Sequence, residues 1–471
     1  MKITFSNLGA IKKTMLDLRP LTIIIGPNNS NKTYIAYSIY GLWHSILRTP
    51  AYLHFPLKKI KQTGKNFSLK VDDELVEEFI KYYKKKVTVF KKELPVFFQD
   101  IQGKLFKKTV FDIDITKDEV KKAIYSLTET EIVQLQLQYK FRFEKDVLHI
   151  DVESVDSNLK DFEITQIDFF FLFTWEITER IFGESIVLPA ERSAFMITYK
   201  VLANRRFQLL RNTRRENLRD FLKNRETQLK LPLDFAEDIR YPQPIEDFLD
   251  FLTNIEFGLS TEKVNEFAEI AKYIELYIQD DNKVDYKLNQ LNGKDFFITV
   301  NKELNIDVHN ASSSIKQLAP LILYLRYRAE TNNFLIIDEP EMNLHPESQA
   351  KLLEVLGMLV NAGVNVLLTT HSPYFMSHLN NLIAGDMTNE ETREKQAKSL
   401  YLGDARAFLK PEDVSAYEMR QNKKGEQKLH DLHDKDYGIR WDTLSDVSAD
   451  IQQKFFEIYE KGEETSKGNE E

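Results

Sequence analysis

No cysteine occurs in the 471 residues, which excludes a disulfide, a cysteine-bound zinc and a thiol nucleophile. Nor does any run approach the roughly 18 apolar residues of a membrane-spanning helix. The densest stretch, Ile164 to Ile181, is broken by Gln166, Asp168, Glu176 and Glu179. Met1-Lys2-Ile3-Thr4-Phe5 enters directly into strand-like alternation, with no charged segment and apolar run of the secretory kind ahead of it. The expectation is a cytoplasmic protein without membrane contact. A positive balance is also missing: 64 Lys and Arg stand against 73 Asp and Glu, net −9, which argues against a surface that is basic all round. Sustained heptads are absent, which excludes a long coiled coil. The length exceeds what one core covers, so two or three lobes are expected.

Three apolar runs are present, and each ends in chemistry. LTIII runs into Gly26-Pro27-Asn28-Asn29-Ser30-Asn31-Lys32-Thr33, which has the glycine, four-residue gap and X-Lys-Thr of a phosphate-binding loop. In such a loop successive backbone N–H groups and a helix N-terminus cradle phosphates, lysine reaches the β and γ groups, and threonine ligates magnesium. Asn31 stands where a second glycine is usual; asparagine tolerates positive φ better than most residues, so the loop can still form. FLII runs into Asp338-Glu339, a pair able to divide two jobs, Asp338 holding the magnesium and Glu339 deprotonating water. VLLTT runs into His371, in the chain order that suits a γ-phosphate contact, with a packed or capping histidine as the alternative. Ser312, Ser313 and Ser314 open a helix whose N–H groups favour an anion; they read either as a plain N-cap or as a phosphate contact made across a dimer interface. Strands that end at loops carrying such residues are where open α/β sheets bind ligands, and the expectation is an ATPase using ATP and Mg2+.

Together GPNNSNKT, LPAERS at Leu188 to Ser193, ASSSIKQLAPL, LIIDEPEMNLHPE and LLTTHS resemble the ABC-type ATPases related to SMC and RecF proteins. The likeness is nearest to ATPases of the overcoming-lysogenization-defect type and to the ATPase subunits of the Septu and PARIS anti-phage systems. It implies an α/β fold, a P-loop ATPase head with a mainly parallel sheet, an antiparallel β lobe and inserted helical regions. Gly26 to Thr33 would be Walker A, Asp338 and Glu339 Walker B, Ser312 to Ser314 the signature, Asn343, Leu344 and His345 part of the D-loop, and His371 the switch histidine. Gln166 is a candidate for the glutamine loop. Arg192 matches a recurrent family position, with a site role and a structural salt bridge both open. The signature lacks its two glycines and Walker A its second, which implies slow turnover or an unusually tight nucleotide complex.

The expected organisation is 1–55 for the N-terminal part of the head, 56–130 for a basic, mostly helical insertion, and 131–195 for a return to the head. An arginine-rich helical arm follows over 196–275, then the C-terminal part of the head over 276–385 and a charged segment with a disordered tail over 386–471. With Lys32 and Asp338 so far apart, a transport ATPase is not expected. HDLHDKDYG, with Asp431, Asp434 and Asp436, reads as a solvated loop with no apolar strand before it, so any nuclease or toxin activity is assigned to a separate effector. The resemblance implies a homo-oligomer of head-to-tail dimers, triggered by a phage protein or DNA. Two functions remain: the ATP-hydrolysing sensor and scaffold of an anti-phage complex, and a DNA-binding repair ATPase of the RecF kind. The basic clusters, Lys84 to Lys92 and Arg205 to Arg225, read as solvated helix faces or as a contact surface for DNA or an acidic partner.

Overall fold

The computed structural model describes residues 1–48, 59–100, 102–129, 131–134, 137–155, 165–202, 241–257, 260–288, 294–300, 304–386, 390–434, 438–440 and 453–454. The chain opens with strands β1 (Lys2–Leu8), β2 (Ile11–Asp17) and β3 (Leu21–Ile25) and enters helix α1 (Lys32–Arg48). Strands β4 (Ile60–Thr63) and β5 (Asn66–Lys70) precede α2 (Asp73–Phe97), β6 (Val110–Asp114) and α3 (Lys117–Tyr125). Then come β7 (Ile132–Gln134), β8 (Leu137–Glu144), β9 (Val147–Ser154), α4 (Gln166–Phe182) and β10 (Ser185–Leu188). After α5 (Gln243–Glu256) and α6 (Glu266–Tyr273) lie β11 (Lys283–Leu288), β12 (Lys294–Val300) and β13 (Leu304–Asp307). Helix α7 (Ser313–Tyr327) leads to β14 (Phe334–Asp338), α8 (Pro346–Asn361), β15 (Asn365–Thr370) and α9 (Pro373–Asp386); β16 (Val414–Gln421) and β17 (Gln427–Asp431) follow.

Among the described residues, nine strands form the main sheet, in the order β10-β14-β15-β3-β16-β17-β2-β1-β6. The run from β10 to β16 is parallel throughout. β17 lies antiparallel to β16, and β2, β1 and β6 continue antiparallel to one another. A five-stranded antiparallel sheet, β4-β5-β9-β8-β7, and a three-stranded one, β11-β12-β13, stand beside it. This is the mixed α/β architecture with an antiparallel lobe that the motifs imply.

β3 is buried at every position because the parallel part of the sheet is covered on both faces. Leu21, Ile23 and Ile25 join one core with Leu335, Ile337, Val366 and Leu368, closed by apolar residues of α5 to α9. Ile24 points the other way and packs with Phe334, Ile336, Leu367, Ile35, Ile39 and residues of α2. Period-two alternation splits each strand between the two cores, and this pins the register. Asp338 lies opposite Thr369, and Thr370 opposite Ile25, so the C-terminal ends of β14, β15 and β3 share one edge.

Two stretches differ from the sequence reading. The basic region after residue 56 carries β4, β5 and β6 besides its helices, and β6 pairs with β1 in the main sheet. The alternation that makes β6 spans only Val110 to Asp114, with Phe111 and Ile113 buried, and the surrounding lysines conceal it. The charged segment after 386 supplies β16, which lies between β3 and β17. Its first six residues are buried, Glu418 among them, paired with Arg420 at 2.6 Å. HDLHD therefore does have strands before it, and β17 ends at Asp431. The arginines 205–225 and the tail Glu460 to Glu471 lie outside the described residues.

Lys86 is no surface lysine: it is 2% exposed, and its ammonium donates to the Ile46 carbonyl at 3.2 Å, in the last turn of α1. Burial pulls its pKa from 10.5 down to about 8. Between those values the unfolded chain holds more protons than the folded one, so stability rises with pH across that window. Relative to Lys86→Met, the native chain is expected to gain melting temperature from pH 8 to pH 10.5. A Tm difference that stays flat over that range would show that the ammonium is not desolvated.

Candidate active site

The loop from Gly26 to Asn31 is shaped by its asparagines. Asn29 and Asn31 take φ of 59° and 65°, the left-handed region that asparagine enters at small cost. Gly26, at φ 147°, has a different reason: a Cβ there would lie 2.8 Å from the Met419 Cβ of β16. Gln427 of β17 braces the loop, accepting from the Asn31 side-chain amide and donating to the Asn29 carbonyl at 3.1 Å. Asn28 and Asn29 are exposed, whereas the Ser30 hydroxyl is buried and has no hydrogen-bond partner. An orphaned hydroxyl inside this loop suits a phosphate oxygen.

Lys32 begins α1, and its ammonium donates to the carbonyls of Gly26 and Pro27, both at 3.1 Å. The third contact is with His371 Nε2 at 2.8 Å. Burial lowers the Lys32 pKa, while Glu339, Asp338 and Glu341 oppose the shift. Asp338 ends β14 and is buried, accepting from the hydroxyls of Thr369 and Thr33. Its desolvation raises its pKa, with both hydroxyls pulling the other way. Thr33 beside Asp338 fits magnesium, which is content with one or two protein ligands when phosphate supplies the rest.

Glu339 sits at φ 47°, an unusual conformation for a residue with a Cβ. Its N–H donates to the Thr369 carbonyl at 3.1 Å, and its carboxylate lies 3.6 Å from His371 Nε2. The imidazole first, then Lys32 and Arg192, hold the Glu339 carboxyl below its ordinary range. Glu341 was not singled out in the sequence, although it follows in the same DEPE. It is half-buried, accepts from the His371 backbone N–H at 2.6 Å and so anchors the backbone that carries the imidazole. Its other oxygen is buried without a partner, and burial raises its pKa.

Lys32, Thr33, Asp338, Glu339 and His371 are thus brought together at one sheet edge. Ser312, Ser313 and Ser314 sit at the start of α7, where Ser312 caps Ile315 N–H at 3.3 Å and its hydroxyl meets that of Ser314 at 2.9 Å. Ser312 and Ser313 are exposed. Asn343 has φ 61°, Leu344 is buried, and His345 caps α8. Gln166 spends its amide on the Ile60 carbonyl at 3.2 Å. For Arg192 the salt bridge does not form: it is 2% exposed and donates to backbone carbonyls.

A family model described as an AAA ATPase domain matches residues 1–376. The chain belongs to that family. This AAA ATPase domain protein is accordingly an ATP-hydrolysing enzyme. No curated protein matches it. Among solved structures, an Smc head bound to the C-winged helix domain of ScpA shares 9% identity at a TM-score of 0.35, covering 92% of this chain and 97% of that one. An Smc head with an extended coiled coil bound to the C-terminal domain of ScpA, derived from Pyrococcus furiosus, shares 10% at 0.34, covering 92% and 95%. The SMC head domain from Thermotoga maritima shares 8% at 0.31, covering 92% and 98%. The family assignment rests on the match over 1–376, and the brace at Gln427 comes from beyond it. Among the described residues, no helix of this ATPase is long and apolar enough to cross a membrane.

Proposed function

We propose that the site hydrolyses ATP between head-to-tail subunits, within a sensor and scaffold of a bacterial anti-phage complex that controls a separate nuclease or toxin. The observation that carries the chemistry is the convergence of Lys32, Asp338, Glu339 and His371 on one sheet edge. Lys32 turns from the Gly26 and Pro27 carbonyls to the β and γ phosphates, with loop N–H groups and the start of α1 beside it. Thr33 and Asp338 would hold Mg2+, which supplies neutralisation of phosphate charge. Glu339 aligns water against the γ-phosphorus and takes its proton on Oε1, as the bond from that phosphorus to the bridging oxygen breaks and ADP leaves. His371 meets a γ-phosphate oxygen through Nε2, on a backbone anchored by Glu341.

The composite arrangement is supported by what flanks the site. Ser312 and Ser313 are exposed at a helix N-terminus, and two large apolar side chains beside the chemistry, Met342 at 36% and Tyr374 at 49%, are exposed as well. A second subunit laid over this edge would cover both and bring its serine helix to the γ-phosphate. Mixing Lys32→Ala chains with Ser312→Arg chains is expected to restore about half of one wild-type dimer's ATPase activity, because one intact composite site forms per mixed dimer. No recovery in mixed dimers verified by mass would overturn the shared site. The defence role is supported by the motif combination and tested separately: cells carrying the chain with its effector are expected to lose phage protection with Lys32→Ala, while the purified complex still assembles. Full protection by that variant would overturn it.

A further inference from the structure

Arg192 begins the helical segment 192–202, just past β10, and β10 pairs in parallel with β14. Among the described residues no carboxylate lies within ion-pair distance of this covered arginine, and that calls for an account, because a buried cation is costly unless every donor is met. Here the donors are met by carbonyls from three segments. Nη1 donates to Pro189 at 2.9 Å and to Asp338 at 2.8 Å, Nη2 to Glu339 at 3.2 Å, and Nε to Gln317 at 3.0 Å. When its amide oxygen faces the guanidinium, the Gln317 side chain also accepts, from Nη2 at 2.7 Å and Nη1 at 3.2 Å. Gln317 is itself fully buried and stands one turn into α7 from Ser313, on the same helix face.

Glu339 is the residue this fan bears on most. Its left-handed backbone is held on the N–H side by Thr369 and on the carbonyl side by Arg192. A φ of 47° at a glutamate persists only where surroundings over-determine it. Carbonyls of Asp338 and Glu339 point at one planar fork, which lysine, with a compact ammonium on a shorter reach, cannot imitate. The fork also joins this peptide to the helix that carries Ser312, Ser313 and Ser314.

We propose that Arg192 is a positioning residue that holds the Glu339 peptide in register with α7, so that engagement of the serine helix by a neighbour's nucleotide is transmitted to the alignment of the Glu339 carboxylate. This rests on the reading of Glu339 as the base and of the serines as a cross-subunit contact. Movement of α7 shifts the Gln317 carbonyl and, with it, the side-chain amide oxygen that clasps both terminal nitrogens; the guanidinium follows, and the Glu339 carbonyl with it.

Three single variants test it, Arg192→Lys, Gln317→Ala and Glu339→Gln, together with the Arg192→Lys/Glu339→Gln double variant. Arg192→Lys is expected to keep ATP affinity within about threefold while single-turnover hydrolysis falls at least about tenfold, a split that general loosening of the fold would not give. In the Glu339→Gln background the same change is expected to cost less than about twofold, because the carboxylate it aligns is gone. Gln317→Ala, which leaves the arginine in place, is expected to lower hydrolysis about threefold at unchanged ATP affinity, and it carries the test if Arg192→Lys does not fold. Normal hydrolysis in folded Arg192→Lys or in Gln317→Ala, or a full tenfold loss in the Glu339→Gln background, would overturn the proposal. Normal hydrolysis in Glu339→Gln alone would instead remove the base reading on which it stands.

Discussion

Glu339→Gln is expected to bind ATP normally and to hydrolyse it at least about 100-fold more slowly, in line with the 10²–10⁴ that a positioned general base contributes. The substitution keeps the shape and the backbone bond to Thr369 and removes only the basicity. Glu339 suits that role because the imidazole of His371, with Lys32 and Arg192, favours its ionised form. The sign for pH follows: with its pKa depressed, the carboxylate stays ionised below the ordinary glutamate range, and the acid limb of kcat/KM is expected below that range. On the proposed head-to-tail arrangement, slow hydrolysis with retained binding is also expected to trap a closed assembly, visible as an ATP-dependent increase in mass. Normal single-turnover rates would assign the base elsewhere.

Lys32→Ala is expected to weaken ATP binding by more than about 100-fold, the scale of losing a charge-assisted contact to two phosphates in a desolvated loop. Its ammonium is held ready by carbonyls of the loop itself, and three carboxylates nearby oppose the loss of its proton. Titration calorimetry on a variant shown by circular dichroism to be folded is the measurement. Unchanged affinity would take Lys32 out of the site.

Much of this edge was legible because its signals are local. LTIII, FLII and VLLTT each announce a buried strand, and Lys32, Asp338, Glu339 and His371 follow within a few residues of the strand ends. Asn31 could be expected to adopt positive φ from its chemistry alone, and it does, at 65°. What escaped the sequence is set by distance along the chain. Gln427 braces a loop 396 residues away, and no periodicity in its neighbourhood signals that. Arg192 was open between a site role and a salt bridge; its partners are main-chain oxygens of Asp338 and Glu339, 146 and 147 residues on. β6 and β16 were hidden by charge, since lysines crowd the first and Glu418 and Arg420 interrupt the second.

The place of β16 between β3 and β17 sets an order of events during synthesis. β3 leaves the ribosome some 400 residues ahead of the strand that covers one of its edges and of the glutamine that fixes the adjoining loop. At about 5–20 residues per second, the nascent phosphate loop waits roughly 20 to 80 seconds beside an unpaired strand edge. An exposed apolar edge for that long is an invitation to wrong pairing. Nucleotide binding, on this view, is acquired late and all at once, when the returning strand closes the sheet.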